Sequence, residues 1–482
     1  MLFRELRSAG LIVAYVGLFF SLLMLVPWLV SIFTGWEGGS SFFWSGFMTG
    51  SFCSLVIIAC YGEQPKVTPR FGILVVNLLW FLLPILCAIP LLNSSAEMSF
   101  TDSLFEATSG LTTTGSTVMT ELLSFDRPIL LWRAIMQWIG GLGILSLGLI
   151  LLPFLRIGGM QLFRMESSDK SDKPLPRLIE ISRSIIIIYF ILSLACVISY
   201  LAVGVQPFDA LTHAMTTVAT GGFSTHDESL GYFDSSSVLW VAIVFMIIGG
   251  LPFNVFIAIF FTRNTPKLDP QVLVFLLIIL FSCALLIAYQ FSNNSPSYYE
   301  NVQYIFNVVS IVTTTGFSSG DFMDYGTLGP AIFFFLIFIG GCAGSTSGGI
   351  KIYRFIVLAQ VIKASLRQLV YSKGVFLLRY GSKLVDQEIY RSAVTMICCF
   401  FAFLVIFTLS LSLCGLDLIT ALSGATTALA NVGPGLGDTI GPAGNFSGLD
   451  NLEKYILIIA MVLGRLELLV AMAFFLPMFW RH

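Results

Sequence analysis

Charge is what this 482-residue chain has least of, since Asp, Glu, Lys and Arg together make up 11% of it. Set against 56% hydrophobic residues, so little charge excludes a water-soluble globular fold. Histidine is scarcer still, with only His213, His226 and His482. No His/Cys/Asp constellation or nucleophile motif accompanies them, so neither an enzyme nor an organic cofactor is expected. The nine cysteines lie mostly in apolar stretches without metal-ligand or disulfide-framework spacing, which reads as packing by small hydrophobes. A cleavable leader is not expected either, because the first apolar run follows Arg4 and Arg7 and passes ~20 residues without a small-residue cleavage site.

Long apolar runs are present in abundance, repeatedly reaching the ~20 residues that cross a bilayer. Ten crossings are predicted, at 11–33, 42–60, 71–92, 128–155, 184–205, 238–262, 271–291, 329–372, 394–414 and 455–480, the eighth overlong and interrupted. Between the third and fourth, fifth and sixth, seventh and eighth, and ninth and tenth lies one recurring pattern. A Ser/Thr/Ala-rich amphipathic half-helix leads into an extended Thr/Asn step, a glycine and then the next long span. The glycines are Gly115, Gly222, Gly316 and Gly433, spaced by 107, 94 and 117 residues. Half-helices of ~12 residues cover ~18 Å, too short to span, so each must dip in and return. The fold class expected is therefore an all-α polytopic membrane protein, with four pseudo-symmetric helix–pore loop–helix repeats around a central pore behind two N-terminal transmembrane helices. The units fall at 1–66 (N-terminal pair), 67–160, 177–265, 268–375 with a broken second helix, and 384–482.

If the short segments do not cross, 21 of the 25 basic residues lie on one side, which the positive-inside tendency makes cytoplasmic, with both termini there. Only Arg127, Arg133 and Lys454 remain outside, with Arg465 inside the membrane. Seventeen acidic residues fall on the outer half, a balance that concentrates cations. Asp102, Asp209, Glu300 and Asp417 sit 13, 13, 16 and 16 residues before their glycines, where a carboxylate also suits a helix N-terminus. The glycine step itself carries no charge in any repeat. Ions there would be held by backbone oxygens of Thr113, Thr114, Thr220, Gly221, Thr314, Thr315, Asn431 and Val432, with glycine permitting the positive-φ turn that aims carbonyls at the axis.

Two features lie beyond the glycine steps. Gly340, Gly341, Gly344, Gly348 and Gly349, with Ala343, Ser345, Thr346 and Ser347, interrupt the eighth span where irregular backbone is tolerated only beside protein or a water-filled cavity. A phosphate-binding loop fails, because no Lys follows the second glycine directly; close helix packing by small residues stays open. Arg465 lies about 12 residues into the last span, where an unpaired charge costs at least ~2.5 kcal/mol. It is expected to face the pore as an electrostatic barrier, or else to form a buried pair with a neighbouring helix. Glu467, two positions on, projects from another face and is a poor partner.

Leu-Thr-Thr-Thr-Gly (111–115), Gly-Gly-Phe-Ser-Thr-His-Asp (221–227), Ile-Gly-Gly-Cys-Ala-Gly-Ser-Thr (339–346), Asn-Val-Gly-Pro-Gly-Leu-Gly (431–437) and Gly-Arg-Leu-Glu (464–467) resemble motifs of the Trk/Ktr/HKT superfamily of potassium transporters, and within it the bacterial TrkH/TrkG subunits. The resemblance runs almost the whole chain. It implies a pseudo-fourfold pore in each protomer, K⁺ as the transported ion, a homodimer in the bacterial inner membrane, and a cytosolic nucleotide-binding regulatory ring of the TrkA type. It also implies that residues 344–349 form an intramembrane loop blocking the pore. A serine at the first filter glycine is associated in that family with sodium passage, and all four positions here are glycine. Gly221 and Pro434 depart from the Thr-Thr-Gly-Phe pattern. The basic stretch Lys351, Arg354, Lys363, Arg367, Lys373, Arg379, Lys383 and Arg391 reads as contact with anionic lipid headgroups, or by resemblance as a docking surface for the ring. No nucleic-acid partner is expected. A cation symporter coupled to H⁺ or Na⁺ is the alternative, with Arg465 and Glu467 its only deep candidates.

Overall fold

The computed structural model describes residues 2–62, 68–151, 174–262, 269–293, 295–381 and 383–480. Lys66, most of the 156–183 loop, Arg263, Lys267 and Arg481, on which part of the expected charge asymmetry rests, lie outside the described residues. Helices α1 (Leu2–Thr34) and α2 (Gly39–Cys60) pack along one another as the N-terminal pair. Four similar units follow. The first comprises α3 (Pro69–Leu92), the half-helix α4 (Phe100–Leu111) and α5 (Arg127–Leu151). The second has α6 (Pro174–Ala202), half-helix α7 (Pro207–Val218), α8 (Ser236–Gly250) and α9 (Phe253–Ile257). The third has α10 (Pro270–Asn293), half-helix α11 (Tyr298–Val312), α12 (Leu328–Ile337) and α13 (Ile352–Val370). The fourth has α14 (Gln387–Leu413), half-helix α15 (Leu418–Ala430), α16 (Asn451–Arg465) and α17 (Leu468–Phe475), before a last turn, α18 (Pro477–Trp480). A two-residue hairpin, β1 (Arg379–Tyr380) with β2 (Lys383–Leu384), joins α13 to α14.

Among the described residues six helices are long and apolar enough to cross a membrane, and eight spans result if α8 with α9 and α16 with α17 each count as one. The predicted fourth and eighth crossings correspond to the 25-residue α5 and to α12 plus α13. Each spanning helix divides its surface: on α10, Leu273, Leu277, Leu280 and Phe281 are exposed while Val272, Phe275, Ile279 and Leu286 are buried against the units. An apolar exposed stripe is what lipid contact requires.

The half-helices have 12, 12, 15 and 13 residues, each too short to span. Their starts are fixed locally. Ser99 and Ser297 cap α4 and α11, the latter closing a full box with Glu300. Pro207 opens α7, and the Asp417 carboxylate accepts from the N–H groups of Ile419 and Thr420.

Two spans expected to be continuous are broken. The sixth bends by 93° at Leu251-Pro252 and the tenth by 112° between Arg465 and Leu468. Proline removes a donor at the first break, and Glu467 takes φ 55° at the second. Three of the four units therefore have a broken second half, and the breaks free backbone groups that the site uses.

Candidate functional site: a ring of four glycine steps

Each half-helix ends in the same way. Its last turn is followed by a residue in left-handed conformation, Thr113, Thr220, Thr314 or Asn431, with φ between 51° and 56°. The N–H of the next residue reaches back five positions: Thr114 to Ser109 O (2.9 Å), Gly221 to Thr216 O (2.8 Å), Thr315 to Ser310 O (2.8 Å) and Val432 to Thr427 O (3.1 Å). This is a Schellman ending, built with threonine or asparagine where glycine is usual. The glycine of the repeat comes next, at φ 88°, 80°, 81° and 117°.

The four steps meet. A β-carbon on Gly115 would stand 2.3 Å from Gly221 O, on Gly222 2.0 Å from Thr315 O, on Gly316 2.0 Å from Val432 O, and on Gly433 2.9 Å from Thr114 O. Each glycine thus abuts the carbonyl oxygen that precedes the next repeat's glycine, and the fourth returns to the first. Four main-chain oxygens, one per repeat, form a closed ring in which only glycine fits between neighbours. The eight expected filter residues are all brought to this place, and Thr113, Thr114, Thr220, Thr314, Thr315, Asn431 and Val432 are buried. Among the described residues no group of three His, Cys, Asp or Glu could hold a metal ion, so the donors on offer here are neutral oxygens.

A second set of residues holds the strands that leave the ring, and the sequence reading missed it. Nine positions before the four glycines stand Glu106, His213, Asn307 and Gly424. Glu106 accepts from Val118 N (3.1 Å) and from the Thr117 hydroxyl, and Asn307 accepts from Ser319 N (3.1 Å) while donating to Ser319 O (2.8 Å). His213 Nε2 lies 2.9 Å from Ser224 Oγ. In the fourth repeat Ile440 packs into the space left by Gly424, and neighbouring Ser423 accepts from Leu436 N (2.9 Å). Arg133, 1% exposed, donates to Glu106 at 2.7 Å, to Ser224 O at 2.9 Å and to the Thr117 hydroxyl at 3.1 Å, and lies over the Phe223 ring. The signal available was a carboxylate, imidazole or carboxamide side chain at one fixed interval from the glycine in three of the four half-helices.

The three basic residues expected on the acidic side are all engaged. Arg133 pairs with Glu106, Lys454 with Asp102 at 2.8 Å, and Arg127 lies over Trp36 and Phe208. Above the ring is a cavity of about 110 Å³ lined by Ser116, Thr117, Ser224, His226, Asp227 and Asn445 among others.

On the other side of the ring runs the stretch 338–351. Thr346 N donates to Gly249 O (3.3 Å), and its hydroxyl lies against Val218 O and Gly249 O and accepts from Thr220 Oγ1 at 3.2 Å. Gly348 N donates to Thr314 Oγ1 (2.6 Å) and Gly349 N to Ala430 O (2.7 Å). Of the expected residues Gly344, Ser345, Thr346, Ser347, Gly348 and Gly349, the structure thus sets Thr346, Gly348 and Gly349 against the C-terminal ends of α7, α11 and α15 under the ring, while Gly344 O accepts from Phe253 N and the Ser345 hydroxyl donates to Cys342 O. The carbonyls freed where α8 breaks hold it as well, since Cys342 N donates to Gly250 O. A relay links the stretch to the β-hairpin: Tyr380 donates to Asp269, Asp269 accepts from Gln271, and Gln271 accepts from Ala343 N.

Arg465, 3% exposed, ends α16 and donates to Thr346 O at 3.2 Å and to Gly140 O at 3.5 Å. Among the described residues it has no acidic partner. Glu467 pairs instead with Arg354 at 3.0 Å. Two members of the expected basic docking stretch are therefore engaged within the protein: Arg354 is buried in that pair, and the half-buried Lys351 donates its ammonium to Ser347 O. Lys363, Arg367, Lys373, Arg379 and Arg391 are exposed.

Residues 39–481 match the family described as TrkH, cation transport protein. The chain belongs to the TrkH family. It is 40% identical to the Trk system potassium uptake protein TrkI of Halomonas elongata, over 98% of this chain and 96% of the relative. It is 33% identical to TrkH of Escherichia coli K12 over 99% of both. The crystal structure of the potassium transporter TrkH from Vibrio parahaemolyticus superposes with a TM-score of 0.90 at 32% identity, covering each chain completely. This TrkH-family chain is accordingly an all-helical, multi-pass membrane transport protein and not an enzyme.

Proposed function

We propose that the chain takes up potassium across the bacterial inner membrane through a channel-like pore whose filter is the ring of main-chain oxygens. The observation that carries the reading is the closure of that ring. Thr114, Gly221, Thr315 and Val432 each offer one oxygen to a common centre, a neutral donor set that replaces the hydration shell of a large monovalent cation. The left-handed step before each oxygen, at Thr113, Thr220, Thr314 and Asn431, turns the chain out of its half-helix, and the helix C-terminus adds partial negative charge. The names of the relatives, potassium uptake proteins over their full lengths, support the choice of ion.

In this reading both termini are cytoplasmic, the acidic half faces outward and draws cations in, and the stretch 344–349 with Arg465 gates the pore. Thr346 and Gly348 lie across the path below the ring, and the Arg465 guanidinium beside them adds a positive barrier. A homodimer with a cytosolic nucleotide-binding ring completes the assembly, and exposed Lys363, Arg367 and Lys373 offer a surface to it or to lipid headgroups. Coupled symport is less well supported: Glu467 is tied to Arg354, which removes the titratable pair such a mechanism would use.

The test is reconstitution of the full chain with currents recorded in mixed K⁺ and Na⁺, beside growth of potassium-starved cells. A reversal potential that follows K⁺ and is insensitive to pH supports the pore. One that shifts with pH favours symport, and no K⁺ flux rejects both.

A further inference from the structure

Three of the four ring oxygens, those of Thr114, Thr315 and Val432, accept no hydrogen bond from the described residues, whereas Gly221 O takes one from Gln137 Nε2 at 2.5 Å. Gln137 belongs to α5, in the first repeat, and is fully buried. Its Oε1 accepts from Phe223 N at 3.0 Å, so one carboxamide clasps the chain on both sides of Gly222, the glycine that abuts Thr315 O. A β-carbon on Gly221 would stand 2.5 Å from the Gln137 amide carbon. In the first and third repeats the residue aligned with Gly221 is a threonine, and its hydroxyl lies 2.7 Å from that of Thr112 or Thr313. The second repeat has Ala219 and Gly221 at those two places. Gln137 fills, from a different helix, the space of a hydroxyl pair that this repeat lacks.

We propose that Gln137 is a positioning residue that sets ion specificity through the Gly221 carbonyl, fixing both where that oxygen stands and how strongly it attracts a cation. The inference rests on the ring being the coordination site. A carboxamide bonded on both sides of Gly222 keeps the oxygen from closing inward around a small ion. Its N–H also offsets part of the oxygen's negative charge. Na⁺ depends more than K⁺ on close, strong-field oxygens, so the clasp penalises Na⁺ more.

The experiment uses the reconstituted full chain and reversal potentials in mixed K⁺ and Na⁺. Gln137→Met keeps the length and removes the amide, and it should lower the K⁺/Na⁺ permeability ratio about two- to tenfold, the factor that one net hydrogen bond corresponds to. Gly221→Thr alone should impair flux by collision with Gln137. The combination Gln137→Ala, Gly221→Thr and Ala219→Thr, which rebuilds the first repeat's hydroxyl pair, should recover selective current, which a purely structural role would not predict. A conducting Gln137→Met with the unaltered ratio overturns the proposal. Should that variant carry no current, the triple variant decides: selective current supports the role, and unselective or absent current overturns it. A native chain that shows no K⁺ preference in the same recordings would instead overturn the potassium-pore reading.

Discussion

The chain above the glycine ring and the chain below it are held in different ways. Above, each departing strand is pinned by a side chain of its own half-helix, and in the first repeat by the buried Arg133–Glu106 pair. Below, the 338–351 stretch hangs mostly by neutral hydrogen bonds to carbonyls and hydroxyls of other elements, with no ion pair among the described residues and one bond from the Arg465 guanidinium. Several polar atoms around it, Thr113 Oγ1, Ser347 Oγ, Asn431 Oδ1 and Arg465 Nε, have no hydrogen-bond partner among the described residues. Breaking one member of a buried ion pair costs about 3–5 kcal/mol, whereas a neutral hydrogen bond contributes only about 1 kcal/mol net. On the proposed reading the ring is a filter that must keep its geometry and the stretch a gate that must give way, and the contrast between the two sides suits those opposite needs.

Several substitutions can break or sharpen that contrast. Glu106→Ala should have the largest effect, because it leaves Arg133 charged and buried. A loss of about 3–5 kcal/mol is expected, read as a lowered unfolding midpoint in detergent together with lost uptake. Gly316→Ala comes next: its β-carbon would meet Val432 O at 2.0 Å at a positive φ, so K⁺ flux should fall at least about tenfold with the protein still folded, since backbone strain of this kind costs about 1–3 kcal/mol. Arg465→Ala should act in the opposite sense, raising open probability several-fold while leaving the K⁺/Na⁺ ratio within about twofold, because the positive charge and its hydrogen bond to Thr346 O are lost below the ring while the ring oxygens keep their places. A selectivity change as large as that from the glycine substitution would erase the distinction between the two sides.

The smallest effect belongs to the rim. Hydrogen bonds from the Thr420 side chain and main chain hold the Asp417 carboxyl below its ordinary pKa, with Ile419 N–H adding to them. Its contribution to stability is then full above the unfolded carboxyl value of about 4 and is lost as pH falls through the lower folded value. Asp417→Asn should change the midpoint at neutral pH by only a degree or two and flatten its decline in acid, measured by thermal unfolding between pH 3 and 7.

Much of the site could be read in order along the chain. The four glycines, the short half-helices and the interrupted eighth span announce themselves through composition and spacing, and the structure brings those same residues together. Less visible were the breaks in the sixth and tenth spans. Pro252 was in plain view, but hydrophobic runs long enough to cross hide a bend, since both halves of a bent span are equally apolar. The anchors Glu106, His213 and Asn307 are hidden for another reason: their side chains differ in kind, so the shared interval to each glycine has meaning only beside the strand each one holds. Arg354 looked like surface charge because burial of a basic residue depends on a partner distant in sequence, here Glu467.

What the sequence determined by itself was local and repetitive: where each half-helix begins, that it is too short to cross, and where a positive φ is required. Those follow from capping chemistry, length and the absence of a β-carbon, all properties of neighbouring residues. Only the tertiary structure decided that Gly115 faces Gly221 O, that Gln137 fills the gap beside Gly221, and that Arg465 meets Thr346. Each joins residues scores of positions apart, and the joining depends on how four helical units close around one axis.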